Sequence, residues 1–211
     1  MRPCSRAGFR TYANTECRKM TKSELRKEYL EKQKAFSPGE RAAKSGQIAE
    51  RFFKGIDIGD VKTLHCFIPI EKFNEIDTMP IFERLWREFP RVRTVVPKVD
   101  LDTGEMQSLH FAAETELVTN TWDIREPAHN ELIDTDRIDM VLVPLLCCDT
   151  QGHRVGYGKG FYDRFLRKCS PGTFKIGLSY FAPVVRIDDT HSGDVTLDLC
   201  VTPDDISLFE T

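Results

Sequence analysis

Apolar positions along the chain fall into alternating blocks of two kinds, one recurring every three to four residues and one running as short continuous stretches. Residues 22–35 set Leu25, Tyr29 and Leu30 among alternating acids and bases, which predicts an amphipathic helix. Ser37-Pro38-Gly39-Glu40 is a helix start. The serine can cap, the proline suits the first turn, and Glu40 stands where a capping box needs its carboxylate. The helix that follows, to about Phe53, presents Ala42, Ala43, Ile48, Ala49, Phe52 and Phe53. Residues 63–68 read as a short buried strand ending at Pro69, and Asp77-Thr78 caps a helix carrying Ile81, Phe82, Leu85, Trp86 and Phe89 at helical spacing. Strands are predicted at 93–97 and 108–112, on either side of a turn at Asp102-Thr-Gly104, and again at 138–144, 174–180 and 197–202. A further helix is expected over 161–168.

Strand and helix patterns that alternate in this way predict an α/β layered fold with a largely parallel sheet flanked by helices. In such sheets ligands sit beyond the carboxyl ends of the strands. Two segments fall there: 69–75 after the first strand, and 154–163 downstream of the apolar run Met140-Val-Leu-Val-Pro-Leu-Leu146.

The second segment, Arg154-Val-Gly-Tyr-Gly-Lys-Gly-Phe-Tyr-Asp163, carries the chemistry. Its glycines (Gly156, Gly158, Gly160) allow positive φ and close approach to a ligand. A helix starting near Phe161 would aim free N–H groups back into the loop, and Lys159 and Arg154 supply positive charge. Together these make a phosphate cradle. It is not a Walker A loop, because Phe161 stands where the magnesium-binding hydroxyl should be. It is not the dinucleotide fingerprint either, since the spacing is Gly-x-Gly-x-Gly and lies late in the chain.

Composition narrows the class. A chain of 211 residues, 40% apolar and 30% charged, suits one soluble domain. The net charge of −3 argues against a general nucleic-acid binder, and no apolar run approaches the ~20 residues of a membrane span. Seven cysteines without C-x-x-C spacing argue against a zinc site or a disulfide framework and for a reducing cytosol. Cys147 and Cys148 read as small buried hydrophobes. Residues 1–19 hold Arg2, Arg6, Arg10, Arg18 and Lys19 but only one acid, Glu16. They read either as an organellar leader or as sequence upstream of a true start at Met20.

Other candidates are weaker on spacing alone. Lys22 and Arg26, at i and i+4, leave one helix face and would ordinarily be a solvated basic stripe. Glu71 and Glu75 could orient a polar ligand. Asp163 with a carboxylate from the 194–198 region could hold magnesium, which prefers few carboxylates plus phosphate oxygens and waters. The five histidines show no metal-ligand spacing.

Three blocks in order resemble the 5-formyltetrahydrofolate cyclo-ligase family, also called methenyltetrahydrofolate synthetases. They are Lys22-Ser-Glu-Leu-Arg26 with the Ser37-Pro-Gly-Glu40 helix start, Phe73-Asn-Glu-Ile-Asp77, and Val143-Pro-Leu-Leu through Arg154-Val-Gly-Tyr-Gly-Lys-Gly-Phe-Tyr-Asp-Arg164. Asp194-Val-Thr-Leu-Asp198 and Val201-Thr-Pro203 also fit, so the resemblance covers roughly residues 20–205. It implies a Rossmann-like (NagB/RpiA-like) single domain over 20–211. It also implies an ATP- and Mg2+-dependent cyclisation of 5-formyltetrahydrofolate, free or polyglutamylated, to 5,10-methenyltetrahydrofolate with release of ADP and phosphate. On this resemblance Lys22, Arg26, Arg154, Val155, Gly156, Tyr157, Gly158, Lys159, Gly160, Phe161 and Tyr162 meet ATP, and the basic stripe becomes a phosphate ligand. Ile68, Glu75, Tyr157, Gly158, Lys159, Gly160 and Phe161 meet the folate, and Asp163 and Asp194 hold magnesium. Lys159, Arg154 and Tyr162 are the candidate catalytic groups, and Trp122 either stacks on the folate or belongs to the core. Phe161 departs from relatives that carry two tyrosines here, which removes one phenol beside Tyr162. A monomeric, cytoplasmic enzyme without nucleic-acid or membrane partners is expected. The rival expectations are a folate- or nucleotide-binding paralogue without turnover, and an ATP-dependent ligase acting on another heteroaromatic compound.

Overall fold

The computed structural model describes residues 20–100, 103–120 and 124–210; the 1–19 leader, Asp102 of the turn and Trp122 lie outside the described residues. The first two helices, α1 (Lys22–Lys34) and α2 (Pro38–Gly55), both begin in capping boxes. Ser37 and Glu40 form one, as their spacing predicts, and Thr21 and Glu24 form the other. Each box satisfies two N–H groups that would otherwise be orphaned at the helix end. In α3 (Met79–Glu88) the cap differs from expectation: Asp77 Oδ1 accepts from Met79 N, while the Thr78 hydroxyl turns inward to Phe67 O.

The strands in chain order are β1 (Thr63–His65), β2 (Arg93–Val99), β3 (Met106–His110), β4 (Leu117–Thr119), β5 (Arg125–Pro127), β6 (Leu132–Ile133), β7 (Met140–Pro144), β8 (Cys147–Cys148), β9 (Arg154–Val155), β10 (Phe174–Leu178), β11 (Leu199–Val201) and β12 (Ile206–Leu208), with the short helix α4 (Phe161–Leu166) between β9 and β10. Eight strands form one sheet in the order β12-β11-β10-β7-β1-β2-β3-β6. The five central strands, β11 to β2, pair in parallel, and β12, β3 and β6 add antiparallel edges. The two remaining strand pairs, β4–β5 and β8–β9, are separate hairpins. This is the layered α/β fold that the alternating pattern predicts.

Strand periodicity sorts the core onto two faces. On one, Leu64, Val96, Leu142, Ile176 and Leu199 pack under Ile48 and Phe52 of α2 and Ile81, Phe82 and Leu85 of α3. On the other, Val95, Val141, Val143 and Cys200 meet Phe165 and Leu166 of α4. A third cluster sets Leu25 and Tyr29 of α1 against Leu146, Cys147, Val155 and Ile187. Cys147 and Cys148 are buried, as small hydrophobes should be.

Strand bounds differ by a few residues from the sequence reading, as at β1 and β3, and two further differences lie near the glycine loop. The glycine segment does not follow β7 directly, because the β8–β9 hairpin intervenes. Its turn is built by Asp149, whose Oδ1 accepts from Gln151 N and His153 N. The helix expected to run to 168 ends at Leu166, because its last turn tightens into i→i+3 bonds from Lys168 N and Cys169 N.

Candidate active site

The β8–β9 hairpin delivers Arg154 and Val155 to the start of the glycine loop. Val155 is fully buried against α1 and anchors the loop. Arg154 is buried, with Nη2 on Asp163 Oδ1 at 2.8 Å and Nη1 on Val195 O. Val195 N donates to that same Asp163 oxygen at 3.1 Å. Burial pushes the Arg154 guanidinium below its ordinary range, and the Asp163 carboxylate opposes that shift. Asp163 Oδ2 takes no hydrogen bond from the described residues.

Past Val155, Gly158 and Gly160 hold φ of +93° and +65°, where side chains with a Cβ are strained. A Cβ on Gly158 would also stand 3.2 Å from the Arg26 guanidinium carbon. Gly160 is the N-cap of α4 and offers no side-chain cap, so the helix presents N–H groups toward the loop. Lys159 is exposed, and among the described residues its ammonium has no ion-pair partner.

Helix α1 lies alongside. Lys22 Nζ meets Asp194 Oδ2 at 2.5 Å, and Arg26 Nε donates to Gly156 O at 2.9 Å. The basic pair expected on one face therefore points inward, Arg26 to the glycine loop and Lys22 to Asp194. Partial burial acts to raise the Asp194 carboxyl, but hydrogen bonds from Lys22 and His191 N outweigh it and hold the group below the usual range. Asp163 and Asp194 are both close enough to Arg154 to act on its charge.

A second, drier part adjoins the loop. Glu75 is 5% exposed, and its Oε2 accepts from Ile70 N at 2.7 Å. Burial raises this carboxyl from 4.5 to about 7 against the opposing effects of Ile70 N, Tyr157 and Arg41. The Tyr157 ring stacks on Phe73 at 5.1 Å, and burial drives its phenol far above the usual range. The Tyr162 hydroxyl is buried with no hydrogen-bond partner among the described residues, its ring edge-to-face with the fully buried His65. Burial also raises the Tyr162 phenol well above its ordinary value. Ile68 is 6% exposed and packs in the core on the α2–α3 face. Phe161 opens α4 beneath the Arg164 guanidinium.

The structure thus gathers Lys22, Arg26, residues 154–163 and Asp194 at one place, with Glu75 beside Tyr157. A family model described as the 5-formyltetrahydrofolate cyclo-ligase family matches residues 18–203. The chain belongs to this family. A relative named 5-formyltetrahydrofolate cyclo-ligase from Escherichia coli (strain K12) is 28% identical over 82% of this chain and 95% of its own length. The solved 5,10-methenyltetrahydrofolate synthetase of Aquifex aeolicus superposes with a TM-score of 0.77 at 27% identity, covering 91% of this chain and 94% of that one. The Mycoplasma pneumoniae synthetase superposes with a TM-score of 0.69 at 28% identity, over 87% and 99% of the two chains. The family's fold matches the mostly parallel sheet described above.

Three participants escaped the sequence reading. Gln33 follows Arg26 by seven residues on the same face of α1, and that spacing was the available signal. Val195 and His191 act through backbone groups, which leave no mark on residue type.

Proposed function

We propose that the protein cyclises 5-formyltetrahydrofolate to 5,10-methenyltetrahydrofolate at the expense of ATP, in the site between α1, the glycine loop and Glu75. A formamide carbonyl is a poor electrophile because its nitrogen donates into it. Transfer of the γ-phosphoryl group to the formyl oxygen releases ADP and turns that oxygen into a leaving group. N10 then attacks the formyl carbon, the carbon–oxygen bond breaks, phosphate leaves, and N10 loses its proton. Such transfer needs positioning and charge neutralisation and no protein nucleophile.

The residues have complementary tasks. Lys22, Arg26, the N–H groups around Gly160 and the α4 terminus hold the ATP phosphates. The unpartnered Lys159 ammonium neutralises charge on the group in transit. Arg154, locked between Asp163 and Val195 O, fixes the loop and the carboxylate beside it. Glu75 accepts from folate N–H groups, and Tyr157 packs beside it.

The donor set fits a magnesium ion. Among the described residues no group of three or more His, Cys, Asp or Glu side chains is arranged to hold a metal ion, which argues against an all-protein metal cage. Asp163 Oδ2 is open, and Asp194 becomes available once Lys22 turns to phosphate. Two carboxylates completed by phosphate oxygens and waters suit Mg2+. When bound, the ion would supply charge neutralisation between the transferring and leaving phosphates.

The observation that carries this reading is the convergence of Arg26 and the Arg154–Asp163 pair on the glycine loop, with Lys22 on Asp194 beside Arg154. The test is the absorbance of the methenyl product on mixing the protein with 5-formyltetrahydrofolate, ATP and magnesium. A rise that requires both ATP and magnesium supports the proposal. No rise, with ATP still bound, overturns it in favour of another acceptor.

A further inference from the structure

Gln33 is 2% exposed and faces the junction between the glycine loop and the segment that carries Glu75. Its amide nitrogen donates to Phe73 O at 2.8 Å and meets Tyr157 Oη at 3.1 Å. A backbone carbonyl only accepts, so the atom facing Phe73 O must be the NH2 group, and the same nitrogen has a second N–H for Tyr157. The Tyr157 oxygen is therefore an acceptor toward Gln33, and its own proton is directed elsewhere. The acid that lines the same small cavity beside the phenol is Glu75. Gln33, Tyr157 and Glu75 line one cavity of about 10 Å³ with Pro144 and Leu145, room for about one water. Phe73, stacked on Tyr157, fixes the plane of the ring.

We propose that Gln33 is a positioning residue of the folate site, holding the Tyr157 phenol so that it donates to Glu75. Glu75 then keeps its remaining acceptor capacity for folate N–H groups. The inference rests on the reading above that Glu75 meets the folate. Other groups face this pair from neighbouring elements. Arg41 of α2 donates to Glu75 O at 2.8 Å while its Nη1 pairs with Glu71. Tyr162 of α4 lies near Glu75, and Tyr180, beyond β10, lies near Tyr157. Gln33 is the group that sets the direction of the phenol proton, because it occupies the phenol oxygen as a donor.

The consequence is read in the pH dependence of folate binding. A donor to Glu75 favours its ionised form, the form that accepts from the ligand. The experiment measures the dissociation constant of 5-formyltetrahydrofolate in the ATP-free protein between pH 6 and 9. Gln33→Met keeps the approximate volume and removes both N–H groups, while Tyr157→Phe removes the phenol. Each should raise the pH midpoint of binding by roughly half to one pH unit, the scale of one lost hydrogen bond to a carboxylate. The double variant should move it no further than either single variant. Gln33→Glu, which offers an acceptor where a donor stood, should move the midpoint the same way and serves if Gln33→Met fails to fold. A purely structural Gln33 would lower the melting temperature and leave the midpoint alone. A Gln33→Met midpoint equal to wild type, with Tyr157→Phe shifted, overturns the inference, as does an additive double variant. Glu75→Gln separates the two readings. Wild-type folate affinity in that variant at every pH would sink the role of Glu75 itself. Loss of the pH dependence there, beside an unmoved Gln33→Met, would sink only the role of Gln33.

Discussion

Glu75→Gln should stabilise the ligand-free protein, and the effect should depend on pH. Burial raises the carboxyl from 4.5 to about 7. At about 1.4 kcal/mol per pH unit, that rise means the folded state prefers the neutral form by roughly 3 kcal/mol. Between those two pH values the folded protein holds a proton that the unfolded chain has released, so stability falls as pH rises through the window and stays low above it. Glutamine has the same shape and no charge. Its oxygen can accept from Ile70 N, and its NH2 group can face the Tyr157 oxygen. At pH 8 the variant should therefore be more stable than wild type by roughly 2–3 kcal/mol, or roughly 5–10 °C in melting temperature for a chain of this size. At pH 5 the gap should shrink to under about 1 kcal/mol, because there the wild-type carboxyl is largely protonated when folded. Urea unfolding at the two pH values measures both numbers. A variant less stable than wild type at pH 8, or a gap equal at both pH values, would refute the argument that Glu75 is a buried acid whose desolvation outweighs its partners.

Three further outcomes are expected. Lys159→Ala should lower turnover by roughly 10²–10³-fold in the methenyl absorbance assay while stability changes by less than about 0.5 kcal/mol, because the ammonium is exposed and unpaired. Arg154→Met should lose roughly 2–3 kcal/mol in urea unfolding; a fully buried pair would cost more to break, but the Asp163 side chain is 28% exposed. Asp194→Asn should bind metal-free ATP several-fold tighter than wild type, since Lys22 is released from its partner, yet bind ATP more weakly than wild type when magnesium is present; calorimetric titration with and without the metal reads both.

Much of this fold was legible because the strands and helices obey their periods. Met140-Val-Leu-Val alternates between the two core faces, and Ile81, Phe82 and Leu85 recur on one side of α3, so pattern alone places them. The β8–β9 hairpin was not legible, because Leu145 through Cys148 continue the apolar run of β7 without a break in composition. The turn depends on Asp149, a fully buried carboxylate that folds the chain back by accepting backbone N–H groups. Nothing in its residue type distinguishes it from a solvated aspartate. The glycine loop was readable as a phosphate cradle from its own residues. The inward direction of Lys22 and Arg26 was not, because helical spacing gives a common face and leaves open what that face meets. The resemblance of the surrounding blocks to a known family supplied the expectation of a phosphate role, and the structure shows only that α1 turns both side chains inward, to Asp194 and Gly156 O.

The arrangement of charge in the free protein agrees with what the site is proposed to accept. Cations suited to phosphate and carboxylates suited to a metal ion cannot stand half-buried and unpaired without large desolvation cost. Here each kind satisfies the other: Lys22 rests on Asp194 and Arg154 on Asp163. The two pairs are not equivalent. Arg154 is also bound to Val195 O and shares its Asp163 oxygen with Val195 N, so that pair is a fixed strut of the loop. Lys22 is a flexible side chain at the first turn of α1, and its Asp194 contact is the one proposed to be exchanged for phosphate. Glu75 has no cation paired to its carboxyl, since Arg41 holds its backbone oxygen, and burial keeps the acid at a cost in stability that a ligand with N–H donors would offset. The free protein therefore holds its charge neutralised where polyphosphate and metal are proposed to enter, and leaves a buried acid raised in pKa where the folate is proposed to bind.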